Sequence, residues 1–356
     1  MYKYPLYYNI SITTIQGGDI IQSKFIKTRL YNKLSEWANS VTDDKVKDAI
    51  LNDTIITGGC IVSLLQDEKP NDYDVYFRSK ESLKLVAEYY VKQFIDRLPS
   101  MHKRQVQVQE CYWNEGKSKW IVLHKADKEH TDTRIRIFIR SDGFVEDSEA
   151  GYAQSDKEYR QALAKINEEI KADENKSQLP PYSCVFMTNN AITLTDKIQI
   201  VLRFYGEAED IHKNYDFVHC TSYYTSYNNK LVLPSRALEA VLNKELYYIG
   251  SKYPLASIIR TRKFLNRGYT INAGQYVKMA LQLNELDLKN LHIFEEQLIG
   301  VDSAYFVGLL NTIERLKNED NDFSMDSGYL INLINNIFDE GEKPCNTDTG
   351  GEKLST

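Results

Sequence analysis

Apolar and polar positions change rhythm several times along the 356 residues, and each change marks an element. Residues 1–16 alternate weakly, which fits a strand or an extended arm. Between 24 and 39, Phe25, Leu30, Leu34 and Trp37 recur near helical spacing, and a second short helix is expected over 43–51. The apolar pair Ile55 and Ile56 then runs into Gly58 and Gly59. A helix-like segment follows over 60–66, and a polar turn through Pro70 and Asn71 enters a strand over Asp72, Tyr73, Asp74, Val75 and Tyr76. Over 79–98, Leu83, Val86, Tyr90, Phe94 and Leu98 share one face, the pattern of an amphipathic helix laid on a sheet.

Three further strands are expected over 105–109, 120–123 and 134–140. In the last, arginines alternate with apolar residues, and the arginine side is assigned to a solvated face. Residues 155–176 are highly charged with sparse apolar positions, an exposed helix closed by Pro180 and Pro181. Strands are expected again over 184–187, 191–195 and 198–202, then a short helix over 206–214 and a strand over 215–220. Past 231 the period becomes helical, over 236–248, 254–266, 272–283, 288–299 and 303–316. The expected fold is α+β: a mixed sheet with flanking helices over 1–230, with a charged insertion at about 141–180, followed by a helical domain over 231–339. The polar tail, 340–356, is expected to be disordered.

Composition narrows the function classes. A content of 42% hydrophobic and 26% charged residues is that of a globular protein, and no apolar stretch approaches a membrane span. The N-terminus lacks a signal peptide's apolar core, so a cytoplasmic location is expected. Five cysteines, scattered and without a Cys-x-x-Cys pair, argue for a reducing compartment and against a zinc site, so any metal should be oxygen-bound. The net charge of −6 does not favour broad nucleic-acid binding, although a local basic groove is compatible with it.

The chemistry concentrates in 54–77. Strand residues two apart point to the same face, so Asp72 and Asp74 project together, close enough to share a divalent cation. Mg²⁺ takes one or two carboxylates, with substrate phosphates and water completing its shell. The two glycines let backbone approach closely, and the helix start behind them offers N–H groups to a phosphate.

A glycine pair, a helix and Asp72-Tyr73-Asp74 in this order resemble the signature of the polymerase β-type nucleotidyltransferase superfamily. The resemblance implies a nucleotidyltransferase-like fold that uses Mg²⁺ or Mn²⁺ to move a nucleoside monophosphate from an NTP to a hydroxyl, releasing pyrophosphate. Asp72 and Asp74 would hold metal, and Gly58, Gly59, Cys60 and Ser63 would line the phosphates. Cys60 stands where the family often has Ser, and Ser63, one turn later, is an alternative donor. Thr57 is a further hydroxyl there. A third acid on a neighbouring strand usually completes such a site. Asp216, between apolar neighbours, is the first candidate; a rival alignment puts Gln199 at that position and leaves the acid missing.

In the resembling family the helical domain contacts base and phosphates, which brings in Lys252, Arg260 and Lys263. A solvated helix face explains those cations equally well. His219 reads as a core histidine, and His212 and His124 carry no distinguishing context. The acceptor is left open among an RNA 3′ end such as that of tRNA, a protein side chain and a small molecule. A looser likeness over 184–270 to phage and large-virus proteins with this core implies a phage product in the host cytoplasm or the virion. The alternative reading is a catalytically silent module of the same fold that binds RNA, nucleotide or a virion partner.

Overall fold

The computed structural model describes residues 17–97, 105–117, 119–123, 133–140, 153–154, 179–188, 190–288, 290–297 and 328. The expected arm over 1–16, nearly all of the insertion over 141–180, the helix over 303–316 and the tail over 340–356 lie outside them. The chain divides into two compact units, and the division falls between Tyr247 and Tyr248.

The first unit opens with α1 (Gly17–Ser40) and α2 (Asp44–Asp53). Asp43 caps α2, its carboxylate accepting from the amides of Lys45 and Val46 at 2.8 and 3.2 Å. The cap satisfies donors that the first helical turn leaves without partners. Strand β1 (Thr54–Thr57) leads through Gly58 into α3 (Gly59–Leu65), and β2 (Tyr73–Phe77) returns antiparallel to β1. Helix α4 (Lys80–Arg97) follows, with the Ser79 hydroxyl accepting from the amide of Ser82 at its start.

A seven-stranded sheet carries the unit. Its remaining strands are β7 (Cys184–Met187), β8 (Ala191–Leu194), β9 (Ile198–Val201), β10 (Tyr223–Thr225) and β11 (Lys230–Val232). They lie in the order β11-β10-β1-β2-β9-β8-β7. The β2–β9 pair is parallel and its neighbours in the sheet are antiparallel. Both faces are covered near the middle. Ile56, Val75, Phe77, Ile198 and Ile200 face a large core with Leu30, Leu34 and Trp37 of α1, Ile50 of α2 and Leu83, Tyr90 and Phe94 of α4. Ile55, Tyr76 and Val201 face the other way, onto α5 (Ala208–His212).

A separate four-stranded sheet comprises β3 (Gln105–Asn114), β4 (Lys119–Val122), β5 (Arg134–Arg140) and β6 (Ala153–Gln154), in the order β5-β3-β4-β6. Val108, Ile135 and Ile137 send one face of it into the main core. The opposite face overturns the expectation of solvated arginines. Arg134 and Arg136 are buried, and their guanidinium groups lie 4.8 and 4.7 Å from the centre of the Trp120 ring. Trp120, Trp113, Cys111 and Phe138 form an apolar cluster there, and cation–π attraction lets the arginines share it.

The expected strand over 215–220 is also not formed. Asp216, Phe217, Val218 and His219 are all buried in succession, so the segment has no two-residue alternation. Val218–Cys220 is instead a short 3₁₀ turn. Helix α6 (Ser235–Leu242) packs on it through Ala237 and Ala240, which keeps that helix in the first unit. In the second unit, α7 (Pro254–Leu265), α8 (Ala273–Leu283) and α9 (Leu291–Gln297) are helical as expected. Four of the cysteines, 60, 111, 184 and 220, are free thiols, and Cys345 lies outside the described residues.

The core predicts a measurable cost. The Trp37 indole N–H donates to the Tyr90 hydroxyl at 2.6 Å in a buried setting. Tyr90→Phe leaves that donor without its acceptor and should destabilise the first unit by about 1–3 kcal/mol in urea unfolding followed by circular dichroism. An unchanged midpoint would show that the bond adds nothing.

Candidate functional site

Four local facts build the site. The first is the turn at Gly58, which has φ 91° and ψ −146°, a conformation that side chains with a Cβ rarely adopt. It breaks β1 and starts α3 within one residue. A Cβ at Gly58 would stand 3.3 Å from the Tyr215 hydroxyl and 3.6 Å from Oδ2 of Asp74. The Asp74 carboxylate therefore reaches the double-glycine turn, and the Tyr215 phenol stands against the same position.

The second fact concerns Cys60. Its side chain is buried, and its thiol donates to the Thr57 carbonyl at 3.8 Å. Burial pushes the thiol's pKa well above its ordinary value, and the charges of Asp74 and then Asp72 push it further the same way. Both carboxylates thus act at the start of α3, while the Cys60 side chain itself packs into the main core and does not face the glycine turn as a phosphate ligand would. Ser63 is buried within α3.

The third fact is the register between β2 and β9, which pairs Asp74 with Gln199. Paired residues on neighbouring strands lie on one face, about 4.8 Å apart in strand spacing. Of the two candidates for the third position, Gln199 is the one on the strand beside Asp74. Asp216 is buried outside the seven-stranded sheet. Among the described residues no three His, Cys, Asp or Glu side chains form a group able to hold a metal, so Asp72, Asp74 and Asp216 do not make one.

The fourth fact is a polar network that the sequence reading passed over. Nε2 of His212 lies 2.8 Å from Oγ1 of Thr57, and that hydroxyl also donates to the Ser222 carbonyl at 2.9 Å. Thr57 therefore ties β1 to α5 and to the start of β10. The His212 ring packs against Tyr215 and Tyr223, with centroids 4.9 and 5.5 Å away. Tyr215 donates to the Tyr76 hydroxyl at 3.4 Å. Burial, then the nearby Tyr76 and Asp74, raise the Tyr215 pKa well above normal, so its hydroxyl keeps its proton. The only hint in sequence was the crowding of Tyr and His over 212–224. Lys252, Arg260 and Lys263 belong to the second unit; Lys252 and Lys263 are exposed and Arg260 is half-buried.

Two outcomes follow from this geometry. Gly58→Ala should cost about 1–3 kcal/mol through its backbone conformation, read as a lower urea midpoint; wild-type stability would contradict the turn. Burial pulls the His212 pKa down to about 4, against the opposing pull of Glu209. The unfolded chain then binds the proton more readily, so this contribution is full above about pH 6.5 and is lost as pH falls to about 4. His212→Gln should flatten the drop in stability between pH 7 and pH 4.5, a difference on the order of 2–3 kcal/mol. The same pH slope in both proteins would show that His212 is not its source.

Comparison with known proteins gives three findings. Residues 28–244 match the family described as Gad2, Gabija anti-defense 2 family protein. A relative named Gabija anti-defense 2, from Bacillus phage SPbetaL7, is 21% identical over 156 residues. That match takes in 40% of this chain and 38% of the relative, so the chain spans well under half of that protein's length. Among solved structures, the Thermotoga maritima CCA-adding enzyme complexed with tRNA is similar over 74% of this chain and 45% of that one, at 11% identity and a TM-score of 0.35. A CCA-adding enzyme in its apo form is similar over 87% and 68%, at 11% identity and a TM-score of 0.33. Those structural likenesses are too slight to carry a function across. The match over 28–244 takes in the glycine turn, both carboxylates, Gln199 and the His212 network, and this chain belongs to the Gad2 family of Gabija anti-defense proteins.

Proposed function

We propose that this chain is a phage nucleotidyltransferase directed against host defence, moving a nucleoside monophosphate from an NTP to a hydroxyl on a host macromolecule. The observation that carries the reading is the meeting of Asp74 with the Gly58 turn, 3.6 Å from the position a Cβ would take. Asp72 and Asp74 supply hard oxygen donors, and a Cβ at Gly59 would meet open space, which leaves room for a phosphate near them, so the donor set fits Mg²⁺ or Mn²⁺ carried on a triphosphate. When bound, such an ion neutralises the phosphate charge that builds up during transfer. The chain's own residues orient the nucleotide: Gly58 and Gly59 give it backbone access, and the Tyr215 hydroxyl, which keeps its proton, stands against the turn beside Asp74. The phage relative's name supports the setting, an encounter with a bacterial defence system. RNA and protein are both open as the acceptor.

Gln199 favours a second reading, a silent module that holds nucleotide without transferring it, because the strand beside Asp74 presents no carboxylate.

One experiment separates the two. The protein is incubated with each α-labelled NTP, Mg²⁺ or Mn²⁺, and host RNA and protein, beside the Asp72→Ala/Asp74→Ala double variant. Transfer should fall at least about a hundredfold in the variant, the scale of losing one electrostatic group at a transition state. Nucleotide binding with no transfer to any acceptor would instead establish the silent module.

A further inference from the structure

We propose that the outer face of α1 is a docking surface for a single-stranded nucleic acid, which it holds by the phosphates and by bases stacked on aromatic side chains. The surface stands apart from the transfer reaction and needs neither Asp72 nor Asp74. From 23 to 35 the helix carries Lys24, Lys27, Arg29 and Lys33 and no acid, in a chain whose net charge is −6. Residues four apart on a helix stack into rows. Ile26, Leu30, Leu34 and Trp37 turn inward to the main core. Three neighbouring rows remain on the outer side: Lys27 with Tyr31, then Lys24 with Thr28 and Asn32, then Phe25 with Arg29 and Lys33.

Cations and aromatic rings are interleaved on this face. Phe25 is 57% exposed and Tyr31 48%, one on each side of the polar middle row. The Arg29 guanidinium lies 5.8 Å from the centre of the Phe25 ring, so charge and ring present one surface to a phosphate and its base. At the end of that row, Nζ of Lys33 stands 5.4 and 4.8 Å from the ring centres of Tyr73 and Tyr182. Two acids act on Lys33 there, and both already accept from Tyr182: Asp196 from its amide at 3.2 Å, Glu36 from its hydroxyl at 3.1 Å. Lys24, Lys27 and Arg29 lie a turn or more further up the helix. A duplex keeps its bases stacked on each other, whereas a single strand offers them to Phe25 and Tyr31. An anionic membrane would need a broad apolar face to receive, and that of α1 lies in the core.

The test reads binding without turnover. The full chain is titrated, with no nucleotide or metal present, into fluorescein-labelled oligonucleotides of one length, and fluorescence anisotropy is followed. The probes are single-stranded RNA, single-stranded DNA, a duplex and an abasic strand. Both base-bearing single strands should bind, each about tenfold more tightly than the abasic strand, the scale of one stacked base. Phe25→Ala/Tyr31→Ala should remove that preference and leave the abasic strand's affinity as it was. Lys24→Ala/Arg29→Ala should instead weaken all the single strands and lower the slope of log affinity against log salt by about 1.4, or 0.7 per lost phosphate contact. All four positions except Arg29 and Phe25 act independently of each other's rings, and all four are exposed, so both variants should keep the wild-type circular dichroism. A preference for RNA over DNA, or the reverse, would name the source of the strand and support the surface. Absence of binding, equal affinity for the abasic strand, or an unchanged profile in both variants would overturn it. Label transfer from NTP is measured separately, so either result leaves the nucleotidyltransferase reading to its own experiment.

Discussion

Everything at the site depends on the register of three strands. β1 is buried on both faces, with Ile56 in the main core and Ile55 packed toward α5, so it can neither slide nor flip without exposing an isoleucine. β2 is locked to it through Ile55–Tyr76 and Ile56–Val75, and β9 to β2 through Val75–Ile200. A slip of one residue would turn Asp74 into the hydrophobic core and Val75 toward solvent. Core packing therefore aims the carboxylate, at no cost to the polar face.

The local part of this arrangement was legible in the chain. A β-rich run, a glycine break, a short helix and an alternating acidic strand lie within two dozen residues, and each follows from its neighbours. The choice between Gln199 and Asp216 was not local. It depended on a parallel pairing between strands separated by more than a hundred residues, which no periodicity reveals. The segment at 215–220 looked like a strand because Tyr, Phe, Val and Cys favour extended backbone. Helix α6 presses on it from outside, and consecutive burial replaced alternation. The arginines of β5 misled for the opposite reason: charge suggested solvent, while a tryptophan on the next-but-one strand offered its ring.

The polar network around Thr57 shows how such a site is stiffened without additional charge. His212, Tyr215 and Tyr223 come from the segment that links β9 to the far side of the sheet, yet they converge on the end of β1. Their groups are uncharged in the folded state at neutral pH, so they brace the end of β1 without adding charge beside Asp74. Rigidity of this kind favours a ligand that must be held in one orientation.

The tryptophans carry a practical consequence. The chain has three, Trp37 on α1, Trp113 on β3 and Trp120 on β4, and all belong to the first unit. Tryptophan emission consequently reports on the first unit alone. Trp120, with two guanidinium groups and a second indole around it, is placed to register any rearrangement of the smaller sheet. The helical unit is optically silent in that channel, so a partner docking there would have to be followed through tyrosine or an attached dye.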